Sequence, residues 1–283
     1  MTVSKLFSLA LKKTFIYLFL LAFGFTTFFP FLWMVMTSFK SRGAVFTIPP
    51  TWIPDKLFKP GMWDNYIAVL TKYNFIRYTW NSVFVSTMAA IGQLITCSLA
   101  GFAFARMEFR GKNFIFAALL STMMIPTEVS IIPEFLMMVK IHWVNTYLPL
   151  IVPSFMVGSF GTFMLREFFA SIPKDLEDAA IIDGASIFRI YWNIFLPLSM
   201  PAMTTLFVIA FINNWNALLR PVLYIYTASM RTLPLGLTTF KGAYEAHWHL
   251  LLTGSVISIL PLVLIYFAAQ RFIIEGITTT GLK

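Results

Sequence analysis

The chain is 283 residues long, 58% apolar and only 12% charged, with a formal net charge of +9. Soluble domains average roughly 45–50% apolar and about 25% charged residues, so this chain has too little polar surface to cover a water-soluble core. Its 21 lysines and arginines are spread thinly between long apolar runs, which excludes a nucleic-acid surface, and its single cysteine, Cys97, excludes an intrachain disulfide framework or a Cys-based zinc site.

Crossing a bilayer as a helix takes about 20 predominantly apolar residues. Six stretches meet that need, at 14–38, 82–105, 114–139, 147–169, 199–222 and 251–274, which predicts an all-α integral membrane protein with six transmembrane helices. The first follows a 1–13 tail ending in Lys12-Lys13. It is longer than a secretory apolar core and no small-residue cleavage site follows it, so it reads as a retained helix. Lys5, Lys12 and Lys13 precede the first span, and Arg106, Arg110 and Lys112 fill the short turn between the second and third. The positive-inside rule then puts both termini in the cytoplasm. The opposite-side segment 41–81 also carries Arg42, Lys56, Lys59, Lys72 and Arg77, but long loops translocate regardless of charge. Its prolines (Pro49, Pro50, Pro54, Pro60) and aromatics (Trp52, Phe58, Trp63, Tyr66) predict an ordered interfacial element with short helices.

The third span is interrupted by Pro126 and Pro133, with Glu128 and Glu134 beside them. One reading is a hinge on a translocation path, with Glu128 hydrogen-bonded to another span. The other is a static kink near the outer face, with Glu134 interfacial.

Between the fourth and fifth spans, 171–198 reads SIPKDLEDAAIIDGASIFRIYWNIFLPL and gathers Asp175, Glu177, Asp178 and Asp183. Pro173 suits a helix start, and acids just after it complement the helix dipole. Leu176, Ala179 and Ala180 predict one small, apolar helical face. Asp183-Gly184 marks a turn, and Ile187, Ile190, Tyr191 and Ile194 a second short helix ending near Pro197. Spacing alone leaves two readings, a knob that docks into a soluble partner and an interfacial linker.

The fifth span holds Asn213, Asn214, Asn216 and Arg220 around Trp215. Asn213, Asn216 and Arg220 would share one face of a continuous helix. Amides suit sugar hydroxyls, and they equally serve as polar glue between spans. Arg220 faces either a cavity or lipid phosphate. The outer loop 223–250 contains His247 and His249 about Trp248, without a third ligand to make a metal site.

The 171–198 segment carries a longer pattern. Asp178-Ala179-Ala180, Gly184, Ile194 and Leu196-Pro197 stand at the spacings of the Glu-Ala-Ala…Gly…Ile-x-Leu-Pro signature of ABC importer permeases, with Asp for Glu as the one departure. The Ile182–Ser186 and Arg231–Leu237 stretches and the Gln270–Gly276 tail resemble the carbohydrate branch of that family, the MalG-like subunits. The resemblance implies a type I importer permease domain over 14–283, in a bacterial or archaeal cytoplasmic membrane. It implies as partners a second, MalF-like permease, two ATPase subunits, an extracytoplasmic sugar-binding protein and membrane lipid. Glu177, Asp178, Ala179, Ala180, Asp183, Gly184, Ala185, Ile194, Leu196 and Pro197 become candidates for ATPase coupling. Asn213, Asn214, Asn216, Arg220 and Glu128 become candidates for the translocation path, and Tyr244 and Trp248 for binding-protein contact. Gly111-Lys112 is followed by Asn113 and lacks the upstream glycine of a phosphate loop, so ATP and Mg belong to the partner and the chain itself binds no cofactor and catalyses nothing. The cargo implied is a di- or oligosaccharide. Glycerol phosphate or a polyamine in the same machine, a stand-alone secondary transporter and a membrane enzyme are the alternatives.

Overall fold

The computed structural model describes residues 3–242 and 246–280, with side chains for 12–242 and 246–271. Tyr244 lies outside the described residues. Ten helices matter here: α1 (Val3–Ser38), α2 (Phe75–Arg106), α3 (Lys112–Ser121), α4 (Thr127–Lys140), α5 (Ser159–Ser171), α6 (Lys174–Ile182), α7 (Ile187–Ile190), α8 (Met200–Trp215), α9 (Leu219–Tyr224) and α10 (Trp248–Thr280). Among the described residues the only strand-like pairing is an isolated bridge between Lys241 and Ala246.

Four stretches are long and apolar enough to cross a membrane unbroken: Lys12–Ser38, Phe75–Arg106, Leu148–Ser171 and Trp248–Arg271. The other two expected spans are broken. Lys112–Met124 and Thr127–Lys140 meet at 98°, and Ile187–Leu198 and Met200–Trp215 at 77°. The predicted 114–139 helix therefore fails at Pro126, not as a gentle kink. Ile125 is extended, as a residue before proline prefers, and Pro126 becomes the N-cap of α4. Pro133 is carried inside α4. The predicted 199–222 helix stops at Trp215, because prolonging it would drive the Pro221 ring against the carbonyl of Ala217. Pro221 instead sits in the first turn of α9, where its missing N–H costs nothing.

The chain forms two compact units. Met1–Tyr73 with Leu237–Ile257 makes the first, and Asn74–Gly236 with Ser258–Lys283 the second. In the first unit, α1 is exposed along Phe15–Leu21, and its far end is tied down by polar contacts. Asn65 donates to the Ser38 and Lys40 carbonyls at 2.7 and 2.9 Å, closing a helix end that would otherwise leave them unpaired. Thr253 donates to the same Ser38 carbonyl at 3.0 Å. Lys40 is fully buried, donating to the Thr51 carbonyl and lying 4.7 Å from the Trp33 ring centre. Phe29, Pro30, Trp33, Pro50 and Trp52 line a cavity of about 540 Å3 beside it.

In the second unit α2 is the central helix, packed on α5 and α8. Lipid offers no hydrophobic drive between spans, so close backbone approach does the work. A Cβ added at Gly161 would sit 2.8 Å from Cys97 Sγ and 3.0 Å from Leu206. One added at Gly101 would sit 3.1 Å from the Arg166 backbone. Around this seam Cys97, Phe102, Leu165, Phe169, Ile190, Tyr191, Phe195 and Leu206 form one core. A second core, nearer the start of α2, gathers Val85, Met138, Leu150, Tyr224, Ile225 and Leu235.

Candidate coupling segment and translocation path

Pro173 is the extended N-cap of α6, and Asp175 and Glu177 occupy its first turn. The helix ends in a Schellman arrangement, with the Ala185 N–H on the Ala180 carbonyl at 2.9 Å and the Gly184 N–H on the Ile181 carbonyl at 3.0 Å. Such an ending needs a left-handed residue, and Gly184 supplies it at φ +76°. Nothing lies within 4 Å of the place its Cβ would occupy. Ser186 then caps α7, its hydroxyl accepting from the Arg189 N–H. A wider π turn follows at Tyr191–Phe195, and a last helical turn at Leu196–Leu198. The second short helix thus ends at Leu198, next to Pro197 as expected. Pro197 sits in the first turn of that last piece, where its missing N–H is tolerated.

The expected small apolar face of α6 is split. Ala180 packs on the core with Ala185 and Ile194, while Leu176 and Ala179 face outward. The acids divide as well. Asp175, Asp178 and Asp183 are exposed, together with Ile181 and an 85% exposed Ile182, whereas Glu177 turns inward.

Glu177 meets Arg106, the last residue of α2, at 3.6 Å, with both side chains largely covered. The same guanidinium donates to the Phe169 carbonyl at 2.6 Å and to the Ile172 carbonyl, and lies 4.9 Å from the Phe195 ring centre. The chemistry follows from Pro173. A continuing helix would offer the Phe169 carbonyl an N–H at position 173, which proline lacks, and the arginine fork supplies donors in its place. The Tyr191 and Ser98 hydroxyls share a buried hydrogen bond of 2.8 Å, a second tie from the segment to α2. In the sequence Arg106 bears only on orientation, and nothing local links it to Glu177.

The fifth-span residues are not brought onto one face, because the helix that would align Asn213, Asn216 and Arg220 ends between them. Asn213 and Asn216 are exposed, and Asn214 donates to the Ala210 carbonyl of its own helix at 2.8 Å. Trp215 is 1% exposed and donates to the Ser258 carbonyl at 3.2 Å, so it offers no ring face to a ligand. Arg220, part of whose side chain stays exposed, donates to Glu134 at 2.9 Å. The buried Tyr224 hydroxyl lies close enough to that carboxylate for the two to interact. Glu128 is exposed in the first turn of α4 and, among the described residues, makes no hydrogen bond to another span. Trp248 begins α10 edge-on to Phe46, ring centres 6.0 Å apart. The His247 and His249 rings lie 6.2 Å apart.

The comparisons specify the class of this helical, membrane-spanning chain. Residues 94–279 match the model of the family described as the binding-protein-dependent transport system inner membrane component, and the chain belongs to that family. It is 34% identical over 264 residues to the arabinooligosaccharides transport system permease protein AraQ of Halalkalibacterium halodurans, covering 92% of each chain. It is 33% identical over 261 residues to the trehalose/maltose transport system permease protein MalG of Thermococcus litoralis, covering 90% of this chain and 91% of that one. Its fold is that of an ABC importer permease. A chain of a bacterial ABC transporter involved in the import of the acidic polysaccharide alginate superposes with a TM-score of 0.79 at 20% identity, covering 96% of this chain and 99% of the other. The chain is a multi-pass membrane transport component of a binding-protein-dependent system.

Proposed function

We propose that this chain is one permease half of an ATP-driven importer that takes a di- or oligosaccharide from an extracytoplasmic binding protein. A second permease completes the path. Two ATPase subunits hold ATP and its magnesium, and their closure is transmitted through 171–198 on the cytoplasmic face. The observation that carries this reading is the outer side of α6, where Asp178, Ala179, Ile182 and Asp183 stand uncovered next to an unobstructed Gly184. Small residues there admit a partner surface with few side chains to order. The saccharide cargo rests on what the relatives are named for. An anionic cargo loses its one support, since the Arg220 charge is already met by Glu134.

The test is purification of the chain from its native membrane in mild detergent, with mass spectrometry of what accompanies it. A second multi-span permease and an ATPase are expected. Recovery of the chain alone, under conditions that preserve other membrane complexes, overturns the reading.

A further inference from the structure

We infer that Arg106 is the positioning residue of the coupling segment, and that Glu177 belongs to this internal clamp rather than to the docking surface formed by Asp178 and Asp183. The inference rests on the coupling role proposed above. A nine-residue helix does not hold itself in water or at an interface, so α6 depends on what anchors it. Its apolar anchor is slight, since Ala180 is the one hydrophobic residue of α6 packed on the core. Arg106 supplies the rest from a single side chain. It holds the end of α5 through the Phe169 and Ile172 carbonyls, α6 through Glu177, and the π turn through the Phe195 ring. Three pieces of the chain, two of them in the segment, are therefore referred to one point at the end of α2. A planar fork with fixed donor directions does this, and a lysine ammonium cannot reach the same set at once. The side chains of Arg106 and Glu177 are 10% and 16% exposed, so little of Glu177 is left for a docking partner.

The test is hydrogen exchange, read by mass spectrometry, on the full chain co-expressed with its partners and held in lipid nanodiscs. With Arg106→Gln, peptides within 173–185 are expected to exchange about tenfold faster, with the middle of α2 unchanged. Glu177→Gln should loosen the same peptides to a lesser degree, Arg106→Lys should recover part of the protection, and Asp178→Asn should change nothing. Wild-type exchange in both Arg106→Gln and Glu177→Gln overturns the inference. So does an equal rise throughout α2 and α5, and so does loosening by Asp178→Asn as large as by Glu177→Gln. The ratio of ATP hydrolysed to solute taken up by the reconstituted complex separates the two claims. If Arg106→Gln loosens 173–185 while Arg106→Gln, Asp178→Asn and Gly184→Trp all keep the wild-type ratio, the clamp stands and the coupling role falls.

Discussion

Arg106–Glu177 and Arg220–Glu134 are the same two residue types near different cores of one helical unit, and they are built differently. The Arg220 pair is the shorter, at 2.9 Å against 3.6 Å. It is also the less supported. Arg220 is 37% exposed and has Glu134 as its one ionic partner, while the other Glu134 oxygen and the Tyr224 hydroxyl are buried without a well-formed hydrogen bond. Arg106 is nearly covered and serves two carbonyls and a ring as well as its carboxylate. Separation alone therefore misjudges such pairs. What decides is how many groups would be stranded if the arginine left, and how far water could replace it.

Substitutions ranked by thermal unfolding of the purified chain in one detergent can break or sharpen that contrast. Arg106→Met strands a covered carboxylate and the Ile172 carbonyl, and leaves the Phe169 carbonyl only its 3.3 Å bond from the Ile172 N–H, so it should cost the most, about 3–5 kcal/mol. Gly161→Leu puts carbon where Cys97 Sγ already stands, overpacking the core beside Arg106–Glu177, and should cost about 1–3 kcal/mol. Arg220→Gln should cost about 1 kcal/mol, because the glutamine amide keeps a donor for Glu134 and, among the described residues, no carbonyl accepts from the Arg220 guanidinium. If it proves as damaging as Arg106→Met, the contrast fails. Gly184→Ala meets no neighbour and pays only for a left-handed backbone, so about 1 kcal/mol is expected.

The coupling segment was legible because its signals are local. Pro173, Asp183-Gly184 and Pro197 punctuate it, and α6 at Lys174–Ile182 falls between the first two marks. The division of its acids was not legible, since it depends on which side of α6 the end of α2 approaches. The fifth span fails for a related reason. A face drawn through Asn213, Asn216 and Arg220 presumes an unbroken helix, and the proline that breaks it, Pro221, lies beyond the residues in question. Arg220 and Glu134 are 86 positions apart in the chain, a pairing that no periodicity announces. Trp215, in the middle of those amides in the sequence, is a buried donor to Ser258.

The central claim is that the exposed side of α6 and Gly184 carries force from a partner ATPase. The most direct test is the ratio of ATP hydrolysed to solute taken up by the complex reconstituted in liposomes, with the co-purified binding protein loaded with the sugar it selects from a panel. Gly184→Trp fills the open space beside Asp178 and Ile182 without touching the core. The account predicts that this variant still assembles in the membrane and that its hydrolysis no longer drives uptake. Uptake at the wild-type ratio, with the tryptophan in place, would contradict it.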